Sequence, residues 1–260
     1  MNDKSKKTVL TDVEFWEKGW GDIEFPIHLD PEKRVERVFM RLFDKYLVND
    51  VDDSKKECIE IGCNPGKFLI YCNQNLGYEI NGIDYDEKGV AITERNIKDS
   101  GLDGRIMKKD FFGFEVDEKY DLVLSLGFIE HFQGEKLQDA IELHIRMLKP
   151  GGKLFLSVPN FRYINYLFAY LFRKKILEVH NLEIMQKSFF EDIADQNDLN
   201  IEYLGYFGGL HPGGIKIGNK NLLSKIITDL FIHNFEKLTF LDSIDSKYFS
   251  HHIGAVYKKP

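Results

Sequence analysis

The stretch Glu57-Cys-Ile-Glu-Ile-Gly-Cys-Asn-Pro-Gly66 decides the fold of this chain. Residues 57–61, which include Cys58, Ile59 and Ile61, predict a short buried strand, and residues 62–66 carry the two glycines and the proline of a turn. Residues 67–76 then have the composition of a helix. A strand, a glycine-containing turn and a helix are the opening of a βαβ unit.

The same alternation continues on the C-terminal side of this stretch. Further strands are predicted at 78–84, 105–108, 120–125 and 153–158, and helices at 86–98 and 135–148, the latter stopped by Lys149-Pro-Gly-Gly152. Two more strands, 201–207 and 253–257, return to the sheet late in the chain, and a helix is predicted at about 221–233. Because parallel neighbours need crossover connections, we predict an α/β fold with a doubly wound, seven-stranded, mostly parallel sheet.

Helical segments flank this predicted sheet. An amphipathic helix is predicted from Pro31 to Leu47, with Asp30 as its N-cap and Pro31 in its first turn. We therefore expect an N-terminal helical extension or lid at residues 1–50 and a ligand-binding domain at 51–260, with a helical insertion at about 159–200 on the acceptor side of the site.

Composition limits the function classes. The 260 residues carry 35 Lys and Arg against 42 Asp and Glu, a net charge of −7, and this balance disfavours a nucleic-acid partner, which needs a basic face. The charged N-terminus predicts neither a signal peptide nor a membrane anchor, so we expect a cytoplasmic protein without an integral membrane segment. Three closely spaced cysteines indicate reduced thiols that pack in the core, rather than a disulfide framework or a zinc site.

The turn after the first strand is the first candidate binding site, because ligands of open α/β sheets lie beyond the carboxyl ends of the strands. Asn64 and Lys67 occupy the second and third glycine positions of a dinucleotide fingerprint, which argues against a nicotinamide cofactor. Asp84 ends the second strand, 22 residues after Gly62. A carboxylate there can accept both hydroxyls of a ribose; the alternative is a helix cap.

Together these segments resemble the class I S-adenosylmethionine-dependent methyltransferases. The resemblance rests on Glu60-x-Gly62-x-x-x-Gly66, Asp84, Lys109-Asp-Phe-Phe112, the run from Asp121 to His131, and Leu148-Lys-Pro-Gly-Gly-Lys-Leu154. It implies S-adenosylmethionine as the cofactor, S-adenosylhomocysteine as its product, and the following cofactor-binding residues: Glu60, Gly62, Cys63, Asn64 and Gly66 at the methionine end, Asp84 at the ribose, Tyr85, Phe111 and Asp110 at the adenine, and Leu126 and Gly127 at the methionine moiety.

The segment after the fourth strand is predicted to face the acceptor. His131 is a candidate general base and Glu130 a second candidate, the alternative being a residue that only starts a helix. Leu126-Gly-Phe-Ile129 replaces the Asn/Asp-Pro-Pro-aromatic tetrad of enzymes that methylate DNA bases or glutamine. We expect a small-molecule acceptor, with oxygen favoured over nitrogen, and no metal, because no acidic cluster resembles a magnesium site.

The acceptor pocket is predicted from aromatic segments outside the βαβ core. Trp16 and Trp20 faintly resemble the start of thiopurine and small-thiol methyltransferases and suggest a lid, or else they pack a helix on the core. Phe128, Tyr163 and His211 are the other substrate-binding candidates. The apolar stretch 161–175 is too short to span a bilayer and could cover the acceptor, form a homodimer face or touch a membrane interface. The rival functions are a non-catalytic S-adenosylmethionine-binding or regulatory protein and a nicotinamide-dependent enzyme.

Overall fold

A computed structural model describes residues 8–11, 24–48, 55–113, 119–210 and 238–260. These residues form one seven-stranded sheet in the order β3-β2-β1-β4-β5-β7-β6. The strands are β1 (Glu57–Ile61), β2 (Glu79–Asp84), β3 (Gly104–Lys108), β4 (Tyr120–Leu126), β5 (Leu148–Pro159), β6 (Asn200–Leu210) and β7 (Ser250–Lys258). The helices are α1 (Arg34–Tyr46), α2 (Lys67–Leu76), α3 (Glu87–Asp99), α4 (Glu135–Arg146), α5 (Tyr163–Phe172), α6 (Lys174–Glu178) and α7 (Lys187–Gln196).

The pairing of these strands confirms the predicted fold class. Strands β1 to β5 pair in parallel, and β7 lies antiparallel between β5 and β6. Strand β1 is flanked by β2 and β4, so the chain reverses its winding direction beside β1. The crevice at the carboxyl ends of β1 and β4 is therefore the expected ligand position of this sheet.

Side chains alternate between two hydrophobic layers. Cys58 and Leu122 belong to the layer that includes α1 and α2, whereas their neighbours Ile59 and Val123 belong to the layer that includes α7. This is the two-residue period of a strand buried on both faces. In the described chain all three cysteines are free and buried, as the sequence predicts.

Helix α1 packs against the sheet. The Phe39 ring lies 6.0 Å from that of Phe155 in β5 and 5.0 Å from that of Phe207 in β6. The helix begins at Arg34 and not at Pro31, and its N-cap, Lys33, makes no side-chain capping bond. Asp30 instead accepts a hydrogen bond from the Glu32 amide at 2.9 Å, so the predicted helix start was wrong.

The segment between α4 and β5 also differs from the prediction. Helix α4 ends at Arg146 and β5 already begins at Leu148, so Lys149-Pro-Gly-Gly152 lies within the strand rather than ending the helix. Leu148 pairs with Tyr120 of β4, and the register shifts before Leu122 pairs with Lys153. This irregular stretch requires a glycine at position 152, because a Cβ there would lie only 2.9 Å from the carbonyl oxygen of Lys149.

Three helices, α5 to α7, connect β5 with β6 and form the predicted helical insertion after the fifth strand. No helix in the described part of the chain has the length and apolar character required to cross a membrane. The helix predicted at about 221–233 lies outside the described residues.

Candidate active site

The turn between β1 and α2 lies against the end of β2. The amides of Gly62 and Cys63 both donate to the carbonyl oxygen of Ile83, at 2.9 and 3.2 Å. Gly62 and Gly66 have φ angles of +71° and +83°, which favour glycine. A Cβ on Gly66 would lie 2.8 Å from Cγ2 of Thr93, so the turn also needs a residue without a side chain.

Asp84 joins this turn to the end of β2. Its carboxylate accepts hydrogen bonds from the amides of Asn64 at 3.3 Å and Asp86 at 3.0 Å. Helix α3 is capped by Asp86, whose side chain accepts from the Gly89 amide. The helix-cap alternative therefore applies to Asp86, and Asp84 is held at the mouth of the crevice, where partial burial raises the pKa of its carboxyl.

Two buried polar atoms near the turn lack a hydrogen-bond partner among the described residues. They are Oε2 of Glu60, at the end of β1, and Oδ1 of Asn64 in the turn. Burial raises the pKa of Glu60 well above its usual range, and Lys67 opposes that shift only in part. A buried acceptor of this kind costs free energy until a donor reaches it, so the site is suited to a ligand that carries a cationic or N–H group.

The residues predicted to enclose an adenine lie in different environments. Tyr85 is 56% exposed, whereas Phe111 is 5% exposed, with its ring 4.8 Å from that of His144 and 5.2 Å from that of Phe128. Asp110 is exposed, and its carboxylate accepts from the Phe112 amide. Phe111 thus belongs to the core beneath the site, and Tyr85 lies at its surface.

The exit of β4 touches the glycine turn through Phe128. A Cβ on Gly62 would lie 3.4 Å from the Phe128 ring. Leu126 ends β4, and Gly127 follows with a φ of +80° and donates its amide to Ser157 O. The predicted cofactor turn and the predicted acceptor segment therefore lie next to each other in the fold.

His131 and Glu130 lie in a buried 3-10 turn directly after this exit. His131 Nδ1 donates to the carbonyl of Val179 at 2.8 Å, which leaves the lone pair on Nε2. Burial lowers the pKa of His131 to about 3, so its ring is neutral near neutral pH. Burial raises the pKa of Glu130 to about 8, and Oε2 of Glu130 has no partner among the described residues.

The structure brings a third titratable residue, His180, to this pair. Its ring lies 4.7 Å from that of His131, its Nδ1 donates to Ile176 O, and burial lowers its pKa to about 4. Glu130, His131 and His180 form the one group of potential metal ligands among the described residues, with ligand atoms within 4.8 Å of one another. Sequence reasoning missed this group because His180 follows His131 by 49 residues and no motif links them.

An open cleft of about 490 Å³ lies on the insertion side of these histidines. It is lined by Phe161, Arg162, Tyr163, Tyr166, Leu182, Glu183 and Gln186. The Phe161 ring lies 5.0 Å from that of His180, so the cleft and the β4 exit are linked by ring contacts through Phe161, His180 and His131. Tyr163 thus lines a cavity, whereas Trp16, Trp20 and His211 lie outside the described residues.

Residues 30–204 match a family model described as a methyltransferase domain. The chain belongs to this methyltransferase domain family. The predicted resemblance to class I S-adenosylmethionine-dependent methyltransferases is thereby confirmed, and with it the enzyme class and S-adenosylmethionine as the cofactor of the family. The nicotinamide alternative no longer has support.

Curated relatives match about half of the chain. A ubiquinone biosynthesis O-methyltransferase of Pseudomonas syringae pv. syringae (strain B728a) is 30% identical over 138 residues, which are 51% of this chain and 58% of the relative. An uncharacterised protein of Haemophilus influenzae is 29% identical over 114 residues, 43% of this chain and 45% of that protein. The matched regions thus span about half the length of these relatives.

Solved structures share the fold over nearly the whole chain. Magnesium protoporphyrin IX methyltransferase from Synechocystis PCC 6803, solved with S-adenosylhomocysteine, aligns with a TM-score of 0.56 at 17% identity and covers 95% of this chain and 93% of that one. An S-adenosylmethionine-dependent methyltransferase from Archaeoglobus fulgidus has a TM-score of 0.56 at 18% identity, over 86% and 94% of the two chains.

The residues at the turn fit the family's cofactor. S-adenosylmethionine has no phosphate, so its site requires a close backbone turn and not a third glycine. It carries ribose hydroxyls and a methionine ammonium, which are donors for carboxylates such as those of Asp84 and Glu60. The tight turn at Gly62, the Asp84 carboxylate at the crevice and the buried Glu60 oxygen that has no partner among the described residues provide these features.

Proposed function

We propose that this methyltransferase transfers a methyl group to an oxygen of a small-molecule acceptor, with nitrogen as the second choice of atom. The observation that carries the proposal is the open cleft of about 490 Å³, which Phe161, His180 and His131 link to the β4 exit. The relative named as a ubiquinone biosynthesis O-methyltransferase supports oxygen as the acceptor atom.

The cofactor-binding assignment rests on the geometry at β1, β2 and β4. Asp84 would accept the ribose hydroxyls, Glu60 would pair with an ammonium group, and Gly62 and Gly66, both with positive φ, would hold the tight turn beside which the ligand binds. Leu126, Gly127, Tyr85 and Asp110 would border the same crevice, while Cys63 and Asn64 would contribute mainly backbone atoms. When bound, S-adenosylmethionine supplies a sulfonium methyl group that a nucleophile attacks in line.

His131 is the residue that we propose to take the proton from the acceptor. Its lone pair is on Nε2, because Nδ1 donates to Val179 O. A pKa of about 3 makes it a weak base for a neutral hydroxyl. It is nevertheless sufficient for a hydroxyl oxygen whose proton becomes strongly acidic as the oxygen bonds the incoming methyl group, its third substituent, and gains positive charge while the bond from methyl to sulfur breaks.

Glu130 is the second residue of this assignment. With a pKa of about 8 its carboxyl is mostly protonated at pH 7, so it can donate a hydrogen bond to the acceptor oxygen rather than compete for its proton. Alignment of the acceptor by Phe128, Tyr163 and these two residues would supply the larger part of the rate enhancement.

In-line transfer requires no Lewis acid, so the expectation of a metal-independent reaction remains part of the proposal. The cytoplasmic location, the domain boundaries, a homodimer and the absence of a nucleic-acid partner remain predictions.

Calorimetric titration with S-adenosylmethionine and S-adenosylhomocysteine, with NAD as the control, tests the cofactor assignment. We expect dissociation constants in the micromolar range, about −8 kcal/mol, and no signal with NAD. Asp84→Ala should weaken binding at least tenfold, while the surface variant Asp99→Ala should bind as the parent does. Equal affinities of the two variants would show that the ribose lies elsewhere.

An acceptor screen with methyl-labelled cofactor tests the transfer. Phenolic, hydroxyl and amine compounds small enough for the cleft are incubated with the protein, and labelled product is measured. His131→Ala should lower turnover with little change in cofactor affinity, whereas Tyr163→Ala should raise KM for the acceptor. Full turnover of His131→Ala at every pH would remove its proposed role, and cofactor binding without any product would favour the non-catalytic alternative.

A further inference from the structure

Helix α5 exposes an apolar face to solvent. Six of its residues define what we call the α5 face: Tyr163, Ile164, Tyr166, Leu167, Tyr170 and Leu171. Each is 42% to 60% exposed. At 100° per residue these positions occupy one continuous arc of about 160°. The face therefore contains large apolar and aromatic side chains and no charged residue.

The opposite side of the helix fixes this orientation. The Asn165 side chain donates to the carbonyls of Phe249 and Ser250, the latter at 2.9 Å. Ala169, one turn later, is 4% exposed. A surface helix ordinarily turns its apolar side to the core, and α5 does the reverse while anchored by a polar residue. A contiguous apolar patch of this kind marks an interaction surface.

Basic residues lie at both ends of the α5 face. Arg162 precedes the helix, and Arg173, Lys174 and Lys175 follow it, all three exposed. Lys247 lies over the rings of Tyr163 and Tyr248, at 6.0 and 5.1 Å from their centroids. The whole chain has a net charge of −7, so this positive charge is a local feature of the patch.

The charges favour an anionic surface over a second copy of the chain. If two α5 faces met antiparallel, Arg173 to Lys175 of one copy would approach Arg162 and Lys247 of the other. If they met parallel, each basic cluster would meet its own copy. Both arrangements bring like charges together, whereas anionic headgroups attract the same residues. Tyrosines at the edge of an apolar patch are also typical of membrane interfaces.

We propose that the α5 face docks on lipid bilayers with anionic headgroups. Ten residues give a helix about 15 Å long, which lies in the plane of the interface and does not span it. Leu167 and Leu171, with the tyrosine rings, would enter the boundary between headgroups and acyl chains. Lys174 and Lys175 would remain at the level of the lipid phosphates.

The position of the cleft connects this surface with the acceptor. Tyr163 and Tyr166 belong both to the α5 face and to the cleft lining. A protein docked through this face would open its cleft towards the bilayer, so an apolar acceptor dissolved in the membrane could enter directly. This last step rests on the proposed function, whereas the docking itself does not.

Co-sedimentation with lipid vesicles tests the docking. The full chain, without cofactor, is mixed with vesicles of phosphatidylcholine alone or of phosphatidylcholine with phosphatidylglycerol. We expect binding to the anionic vesicles that weakens as salt is raised. Leu167→Gln/Leu171→Gln should lower the partition coefficient about tenfold or more. Lys174→Glu/Lys175→Glu should do the same, because each basic residue contributes about fivefold near an anionic surface.

Matched controls separate the face from general surface properties. Phe240→Gln removes an exposed aromatic residue elsewhere, at 65% exposure, and Lys45→Glu/Lys98→Glu reverses two exposed charges off the face. Both controls should bind vesicles as the parent does. Circular dichroism and calorimetric cofactor binding of every variant report whether the fold and the cofactor site are intact, independently of docking.

Two results would overturn the proposal. One is that the protein does not co-sediment with anionic vesicles, or that it binds neutral and anionic vesicles equally. The other is a concentration-dependent dimer in sedimentation velocity that Leu167→Gln/Leu171→Gln abolishes while vesicle binding is unchanged, since that would assign the face to a second copy. Vesicle binding without any methyl transfer would leave the docking intact and overturn only the proposed function.

Discussion

Replacing Gly66 by alanine should destabilise the fold by an amount that depends on one methyl group of Thr93. Gly66 has a φ of +83°, and a Cβ there would lie 2.8 Å from Thr93 Cγ2. Thr93 is fully buried, and its hydroxyl donates to Gly89 O at 2.9 Å, which fixes its rotamer. The methyl therefore cannot rotate away without breaking this hydrogen bond.

The expected cost has two parts. The left-handed backbone costs about 1–2 kcal/mol for an alanine. Displacing the Thr93 methyl in a packed interior adds about 1–3 kcal/mol. Gly77→Ala provides the matched control, because Gly77 also has a positive φ of +75° but a Cβ there meets nothing within 4 Å. We expect only the first part of the cost at Gly77 and both parts at Gly66.

Thr93→Ser separates the two parts, because serine keeps the hydroxyl and removes the methyl. By itself it should cost about 1 kcal/mol of buried apolar contact. In Gly66→Ala/Thr93→Ser the nearest atoms to the new Cβ, Cβ of residue 93 and Cγ1 of Ile97, are at an ordinary 3.8 Å. The double variant should then be less destabilised than the sum of the single variants by about 1–3 kcal/mol.

Urea unfolding followed by far-UV circular dichroism measures all five proteins, with the free energy of unfolding taken from the midpoint and the slope. If Gly66→Ala cost no more than Gly77→Ala, or if Thr93→Ser gave no coupling, the close approach of the turn to α3 would be wrong. The packing that holds the turn beside Asp84 would then need to be revised.

Three further predictions concern buried charge and metal. Burial lowers the pKa of His144 to about 4, so as the pH falls the unfolded state binds a proton at this residue before the folded state does. The free energy of unfolding should therefore fall by about 2 kcal/mol between pH values above 6.5 and pH 5. In His144→Leu, the midpoint of urea unfolding should decrease less steeply over the same pH range. Asp242→Asn should cost about 3–5 kcal/mol in thermal unfolding, because it leaves fully buried Arg34 facing an amide, whereas Asp139→Asn at an exposed pair should cost under about 1 kcal/mol. Treatment with EDTA should leave methyl transfer unchanged. If EDTA instead abolished activity, and Zn²⁺ restored it in the parent protein but not in His180→Gln, a metal would be assigned to the group formed by His180, His131 and Glu130.

Much of the fold could be predicted because its signals are local. Short apolar runs, separated by helices and glycine turns, require parallel strands with crossovers, and the ends of those strands meet at one edge. The positions of Asp84 and of the turn at Gly62 follow from this rule alone. The helix starts were less predictable: Asp30 and Pro31 have the local pattern of a helix start, but α1 begins at Arg34, whose guanidinium bonds Asp242 across 208 residues.

The chemistry of the site depended on contacts that no local pattern contains. The sequence by itself determined the parallel sheet, and it named the glycine turn as the candidate cofactor site and His131 as a candidate base, because periodicity and strand order are local signals. Only the tertiary structure decided that Phe111 is part of the core, that His180 lies beside His131, and that α5 turns its apolar side outward. Contacts between distant segments decide whether such a side chain is buried, paired or exposed, because the free energy of each of these environments depends on the neighbours that the whole fold brings to it.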